Sequence, residues 1–320
     1  MSISKKNKVV ILGDSGWHEH PWKKSNSSGT YGLKKLTNAY SVFGDYLEDE
    51  GMKLYKSHFL WYKNGKFTKG WEYDKGKWKQ VFDISPDFIF DKTPLNSKTI
   101  KIKKHFSKQG KILNTWFIEH LCSDKWETYK LFPHLVPKCY LVNGIVELKK
   151  AIKKIKSDKV VIKPRYGSSA KGLYIIDKTE RVPNVKGEYI VQEFVDTCSG
   201  IPNLVKGVYD IRLLIVDGVV NHAYMRVAQK GLVSNVALGA KVTFLDTKEI
   251  PKKILKSAKS ISIKLKKYKP SLYTADFVMD GKGKVHLIEL NSKPFFCFYD
   301  DYGRQDLKEK LLRSIAKSIK

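Results

Sequence analysis

The architecture this sequence predicts is an N-terminal α/β domain followed by an α+β body of short antiparallel strands, and three observations carry it. Lys8-Val9-Val10-Ile11-Leu12 is a short apolar strand that runs into the loop Gly13-Asp14-Ser15-Gly16, the usual opening of an α/β domain. From Val160 onward the chain breaks into brief β-branched runs separated by tight turns. Between two of those runs, Lys252–Lys267 places Ile254, Leu255, Ala258, Ile261 and Leu265 at helical spacing, with lysines over the remaining surface. Three segments are expected: 1–120, 121–195 and 196–320.

Composition bounds the function. The 320 residues carry 60 Lys+Arg against 32 Asp+Glu, a net charge of +28, and 42% hydrophobic residues, enough to build cores and to exclude a disordered chain. No apolar run reaches the roughly 18–20 residues that span a bilayer, and the N-terminus lacks the apolar stretch of a secretory signal. Cys122, Cys139, Cys198 and Cys297 lie far apart without a C-x-x-C pair, so neither a disulfide framework nor a zinc site is indicated. A cytoplasmic setting without membrane association is the expectation. The positive charge reads as a lysine-rich solvated surface, with a polyanion site or an acidic substrate as the competing reading.

Each element follows from a local pattern. The polar loop from Gly13 to Gly32 is long enough to be functional or mobile, and residues 34–50 read as a helix. No G-x-G-x-x-G follows the first strand, so no dinucleotide motif is assigned. Asn64-Gly65 and Asp74-Lys75-Gly76 punctuate His58–Phe82 into two hairpins, with an aromatic packing face and a solvated lysine face. Pro86–Asp91 is a further strand, Lys111–Asn114 another, and Lys125–Phe132 a helix. Strands are then expected at Val160–Lys163, Leu173–Asp177, Tyr189–Phe194, Ile211–Val216, Val219–Arg226, Leu272–Asp280 and Val285–Asn291, with a terminal helix after Asp306.

Five features of the second half carry chemistry. Lys163 ends a buried strand and precedes Gly167-Ser168-Ser169-Ala170-Lys171-Gly172, a point charge beside small residues that let backbone N–H groups approach phosphate oxygens. Gln192-Glu193-Phe194 ends a strand that offers backbone edges and apolar cover to a purine. Asp210-Ile211-Arg212 leads into the Asp217-Gly218 hairpin and Arg226; a plain two-residue turn sets Arg212 opposite Ala223, with Arg226 on the other face unless a bulge intervenes. Ser234-Asn235 lies in a loop ending at Gly239. In the last hairpin Glu289 and Asn291 share a face, and an even turn sets Asp276 opposite Glu289, whereas an odd turn without a bulge does not. Two carboxylates and an amide oxygen make the all-oxygen, incomplete ligand set that suits Mg²⁺.

In this order the features resemble the ATP-grasp superfamily, closest to its RimK-like and glutathione-synthetase-like ligases, over about residues 121–295. The resemblance implies ATP held between two α+β lobes, a carboxylate activated as an acyl phosphate, and an amine that attacks it to give an amide, ADP and phosphate. It implies that Lys125 and Lys163 contact phosphates, that Gly167 to Gly172, with Ser168 and Ser169, close over them, and that Glu193 and Phe194 meet the adenine. Asp210, Ser234 and Asn235 would make further nucleotide contacts. Asp276, Glu289 and Asn291 would hold Mg²⁺, as two ions, with Mn²⁺ as a substitute. Arg212 and Arg226 would stabilise the acyl phosphate and the substrate carboxylate. Ala170, Val233 and Phe295 stand where the family often has glycine, arginine and glycine. The expected activity is a carboxylate–amine ligase joining an amino acid to a peptide or small carboxylate, with the basic balance favouring an acidic peptide. The alternatives are a small-molecule kinase and a nucleic-acid-binding protein with a vestigial ATP site.

Overall fold

The computed structural model describes residues 7–13, 33–167 and 170–320. The chain divides into two compact units: Met1–Glu119 with Lys266–Leu272 and Lys293–Lys320, and His120–Leu265 with Tyr273–Ser292.

The first unit is organised by β1 (Asn7–Gly13), whose Val9, Val10, Ile11 and Leu12 are all buried. An unbroken apolar run is what a strand covered on both faces requires. Helix α1 (Leu33–Asp49) follows, burying Ala39, Tyr40, Phe43 and Leu47 along one side. Next come β2 (Met52–His58), β3 (Tyr62–Lys63), β4 (Lys66–Asp74), β5 (Lys77–Ile84) and β6 (Phe88–Asp91). Helix α2 (Ile100–Lys108), β7 (Ile112–Leu113) and α3 (Trp116–Ser123) complete this stretch, the unit boundary falling within α3. The sheet runs β3-β4-β2-β1-β6-β7, with β5 also on β4; β1 is parallel to β2 and β6, while β4 is antiparallel to β2, β3 and β5.

Both expected hairpins are present. Along β4, Phe67, Trp71 and Tyr73 are buried and Lys66 and Thr68 are exposed. Lys69 departs from the simple division, lying on the aromatic face with its ammonium 5.6 Å from the Trp61 ring centre and 5.5 Å from that of Trp71. A cation over an aromatic face keeps its favourable contact while its stem packs on apolar surface.

The second unit opens with α4 (Lys125–Leu131), capped by Asp124, whose carboxylate accepts from the backbone N–H groups of Trp126 and Glu127. A four-stranded antiparallel sheet follows in the order β10-β9-β11-β8, from β8 (Cys139–Asn143), β9 (Lys159–Pro164), β10 (Tyr174–Asp177) and β11 (Glu188–Glu193). Helix α5 (Ile145–Lys154) covers it with Leu148, Ala151 and Ile152, the i, i+3, i+4 stripe of an amphipathic helix. A five-stranded sheet has the order β14-β13-β12-β15-β16, built from β12 (Tyr209–Val216), β13 (Val219–Val227), β14 (Lys241–Leu245), β15 (Leu272–Met279) and β16 (Val285–Asn291). Helix α6 (Lys252–Leu265) buries Ile254, Ala258, Ile261 and Leu265, as its spacing predicts. The chain then returns to the first unit, where α7 (Gln305–Ser318) packs on α1. No described helix is long and apolar enough to cross a membrane.

Gly44 marks how closely α1 lies on β4: a Cβ built there would meet Tyr73 Cδ1 at 2.2 Å. In an open helix Gly→Ala gains about 1 kcal/mol from propensity. At this site crowding reverses the sign, and Gly44→Ala is expected to destabilise by about 1–3 kcal/mol, read from urea unfolding midpoints.

Candidate active site

Bulges decide which side chains meet in the five-stranded sheet. The β12–β13 turn has φ of +51° at Asp217 and +84° at Gly218, the pair of positive values that suits a two-residue hairpin. Val216 faces Val219 and Ile215 faces Val220, but Leu214 then faces His222, leaving Asn221 as an extra residue. Arg212 is therefore opposite Tyr224, not Ala223, and Asp210 is opposite Arg226. The bulge returns Arg226 to the face that carries Arg212.

The last hairpin behaves alike. Met279 pairs with Val285 across an odd turn, Phe277 with Leu287, and Asp276 with Glu289, so Ile288 is the extra residue. An odd turn and a one-residue bulge together bring Asp276 opposite Glu289. The Ile288 carbonyl, set out of the regular ladder, lies 3.4 Å from the Lys163 ammonium.

On this face stands a continuous ionic chain. Arg212 grips Asp276 with two parallel bonds, Nε to Oδ1 at 2.6 Å and Nη2 to Oδ2 at 2.5 Å. Arg226 holds Asp210 through Nε at 2.7 Å and Nη2 at 2.9 Å, and the same Nη2 reaches Asp276 Oδ2 at 2.8 Å. The Ser234 hydroxyl donates to Asp210 Oδ2. Two guanidinium groups thus neutralise two carboxylates that would be costly to bury alone. Burial pushes Asp276 upward, yet the charges of Arg212 and Arg226 outweigh it and hold its carboxyl below the usual carboxylate range. Asp210 is raised: burial is the main cause, Arg226 pulls against it, and the charge on Asp276 adds to it.

A second group surrounds a small recess lined by Lys125, Lys163, Gln192, Glu289 and the apolar Ile190 and Leu290. Lys125, the first residue of α4, donates to the Gly167 carbonyl at 2.7 Å and lies 3.6 Å from Glu289 Oε1. Asn291 Nδ2 donates to Glu289 Oε2 at 3.3 Å, in keeping with a shared face. Lys163, on β9, is 6% exposed, and burial depresses its ammonium to about 8, with Glu289 opposing the shift and Lys125 adding to it. Gly167 and Gly172 take φ of +118° and +72°, and a Cβ at Gly172 would meet Pro164 at 3.0 Å.

The remaining sequence candidates sit as follows. Glu193 ends β11 and Phe194 follows it, their backbone N–H groups donating to Lys138 O and Ser157 Oγ. The Asn235 side chain accepts from Ala237 N at 2.8 Å and caps a short 3₁₀ turn. Ser168 and Ser169 lie outside the described residues. The sequence reading passed over Asp124 and Arg165, which frame the start of the Gly167–Gly172 loop. The aspartate had a local signal, a capping residue before a helix; the arginine had none.

The oxygens of Asp276, Glu289 and Asn291 suit a hard divalent cation. Asp276 Oδ1 accepts from Arg212 Nε, and Glu289 Oε1 lies 3.6 Å from the Lys125 ammonium, so carboxylate lone pairs remain for a metal. Replacing Arg226 with an apolar residue leaves Asp210 buried without a counter-charge. Arg226→Met is expected to cost about 3–5 kcal/mol in urea unfolding, and a loss below about 1 kcal/mol would show the chain to be energetically idle.

Comparison with known proteins gives the family and the fold. No curated protein matches the chain in sequence. A RimK-like ATP-grasp domain model matches residues 122–315. Among solved structures, a RiPP-associated ATP-grasp ligase from Chryseobacterium gregarium, in complex with ADP and a leader and core peptide, is similar at 14% identity and a TM-score of 0.58, over 97% of this chain and 96% of that one. The ATP-grasp ligase PsnB with a phosphomimetic variant of its minimal precursor, Mg and ADP is similar at 12% identity, with a TM-score of 0.61 over 98% of both chains. D-alanine–D-alanine ligase from Bacillus anthracis, complexed with ATP, is similar at 13% identity and 0.58, over 98% of this chain and 97% of that one. With the family model covering more than half of its length, this chain belongs to the RimK-like ATP-grasp family of ligases.

Proposed function

We propose that this protein is an ATP- and Mg²⁺-dependent carboxylate–amine ligase that acts through an acyl phosphate, joining an amino acid to a peptide or small carboxylate. The observation that carries the reading is the meeting of Lys125, Lys163 and Glu289 around one recess, beside a loop of small residues. Phosphoryl transfer asks for positioning and charge neutralisation rather than a covalent nucleophile, and these are the groups that supply both.

In this scheme the two lysines bind the phosphates, Gly167 to Gly172 cover them, and Glu193 and Phe194 border the adenine, with Asp210, Ser234 and Asn235 further along the nucleotide. A substrate carboxylate oxygen attacks the γ-phosphorus and the bond to the β-phosphate oxygen breaks, leaving ADP. The amine then attacks the acyl carbon, phosphate departs, and an amide remains. Arg212 and Arg226 offer positive charge to the carboxylate and the acyl phosphate. Asp276, Glu289 and Asn291 would hold Mg²⁺, which would neutralise charge on the phosphates when bound. The leader and core peptide bound by the RiPP-associated ligase, together with the +28 charge here, support an acidic peptide as the substrate class.

The direct test measures phosphate release from ATP and Mg²⁺ across pools of amino acids and acidic peptides. Release should require a carboxylate–amine pair and fall at least about 100-fold in Glu289→Gln. ADP formed without free phosphate would point to a kinase instead.

Lys163 adds a pH signature. Its ammonium is charged below about 8 and neutral above, so affinity for ADP with Mg²⁺ should fall as pH rises through about 8. Stability should move the opposite way. Between about 8 and the ordinary lysine value of 10.5 the unfolded chain binds the extra proton, so this residue's contribution rises with pH. Titration calorimetry and urea unfolding at matched pH values separate the two, and Lys163→Met should flatten both.

A further inference from the structure

Asp124 is fully buried and receives more donors than a helix cap needs. Besides the backbone of Trp126 and Glu127, its Oδ1 accepts from Arg165 Nε at 2.9 Å, and its Oδ2 from Arg165 Nη2 at 2.6 Å and from the Tyr166 hydroxyl at 3.0 Å. Burial works against the ionised form, but the bonds from Arg165 lead the opposing effects, and the carboxyl is held below its usual range. Arg165 is tied from its other side as well. Its Nη1 donates to Glu188 Oε1 at 3.1 Å, its backbone N–H to Glu188 O at 3.1 Å, and its carbonyl accepts from Lys125 N at 3.2 Å.

Lys125 follows Asp124 directly, and Gly167 stands two residues after Arg165. The lysine is thereby fastened at both ends to the strand end that begins the loop: its backbone to the Arg165 carbonyl, and its ammonium to the Gly167 carbonyl. We infer that Asp124 and Arg165 are positioning residues, a bidentate clamp that sets Lys125 and the opening of the Gly167–Gly172 loop in one register before nucleotide arrives. The inference rests on the role proposed for Lys125. A guanidinium fork matches both carboxylate oxygens at once and fixes orientation, which a lysine cannot do. Lys125 is then held near the recess by the clamp instead of being ordered when the ligand binds.

Coupling to Lys125 is the readout that a merely structural role would not move. Calorimetric titration with ADP and Mg²⁺ should show Arg165→Gln weakening affinity about tenfold in the native background, but less than about twofold in the Lys125→Met background. Asp124→Asn, which retains a capping oxygen, should repeat that pattern. Arg165→Lys, which keeps the charge but not the fork, should give an intermediate loss with the same dependence, and serves if Arg165→Gln fails to fold. Equal losses in both backgrounds, or no loss at all, would overturn the clamp and leave the proposed ligase intact. If Lys125→Met alone leaves affinity unchanged, the phosphate contact proposed for Lys125 falls, and the clamp with it.

Discussion

Four charges share one buried face of the five-stranded sheet, and the sheet is tenable only because they cancel. Asp210, Arg212, Arg226 and Asp276 come from three neighbouring strands, and removing Arg226 would strand Asp210, as removing Asp276 would strand Arg212, in a poorly solvated place. Cancellation requires a particular register. Asn221 supplies it, a single extra residue in β13 that shifts the side-chain alternation beyond it and returns Arg226 to the face of Arg212. A separate extra residue in β16, Ile288, sets Asp276 opposite Glu289 and has its carbonyl 3.4 Å from the Lys163 ammonium. The ionic chain and the Asp276–Glu289 pairing thus each depend on a one-residue bulge in the same sheet.

Much of this was legible from residue patterns. The short β-branched runs expected after Val160 match β9 to β13, β15 and β16 closely, because tight turns such as Asp217-Gly218 leave the chain little choice of where to reverse. Strand β14 was not anticipated: Lys241–Leu245 is a short strand at the end of its sheet, where pairing with β13 rather than its own pattern gives it form. Strand β8 and helix α5 were also passed over, although Leu148, Ala151 and Ile152 carry a readable stripe.

The site divides along the same line. Lys163, Glu289 and Asn291 could be placed from strand periodicity alone, since a strand end and a two-residue spacing are local facts. Whether Arg226 joins Arg212 could not, because a bulge is a compromise between two strands and neither announces it. The partnership of Asp124 with Arg165 spans 41 residues of chain and depends on β9 ending beside α4. Sequence order shows which residue types are available; distance in the fold decides which of them meet.

The first unit draws on three separated stretches of chain, and the second on all that lies between them. For a polypeptide emerging from the ribosome N-terminus first, this reverses the order of completion. By Ser292 every residue of the second unit has been made, while α1 still lacks α7 and the Lys293–Lys320 stretch. The unit begun first is the last to close, and until it does the side of α1 that α7 will cover stays open to solvent or to a chaperone.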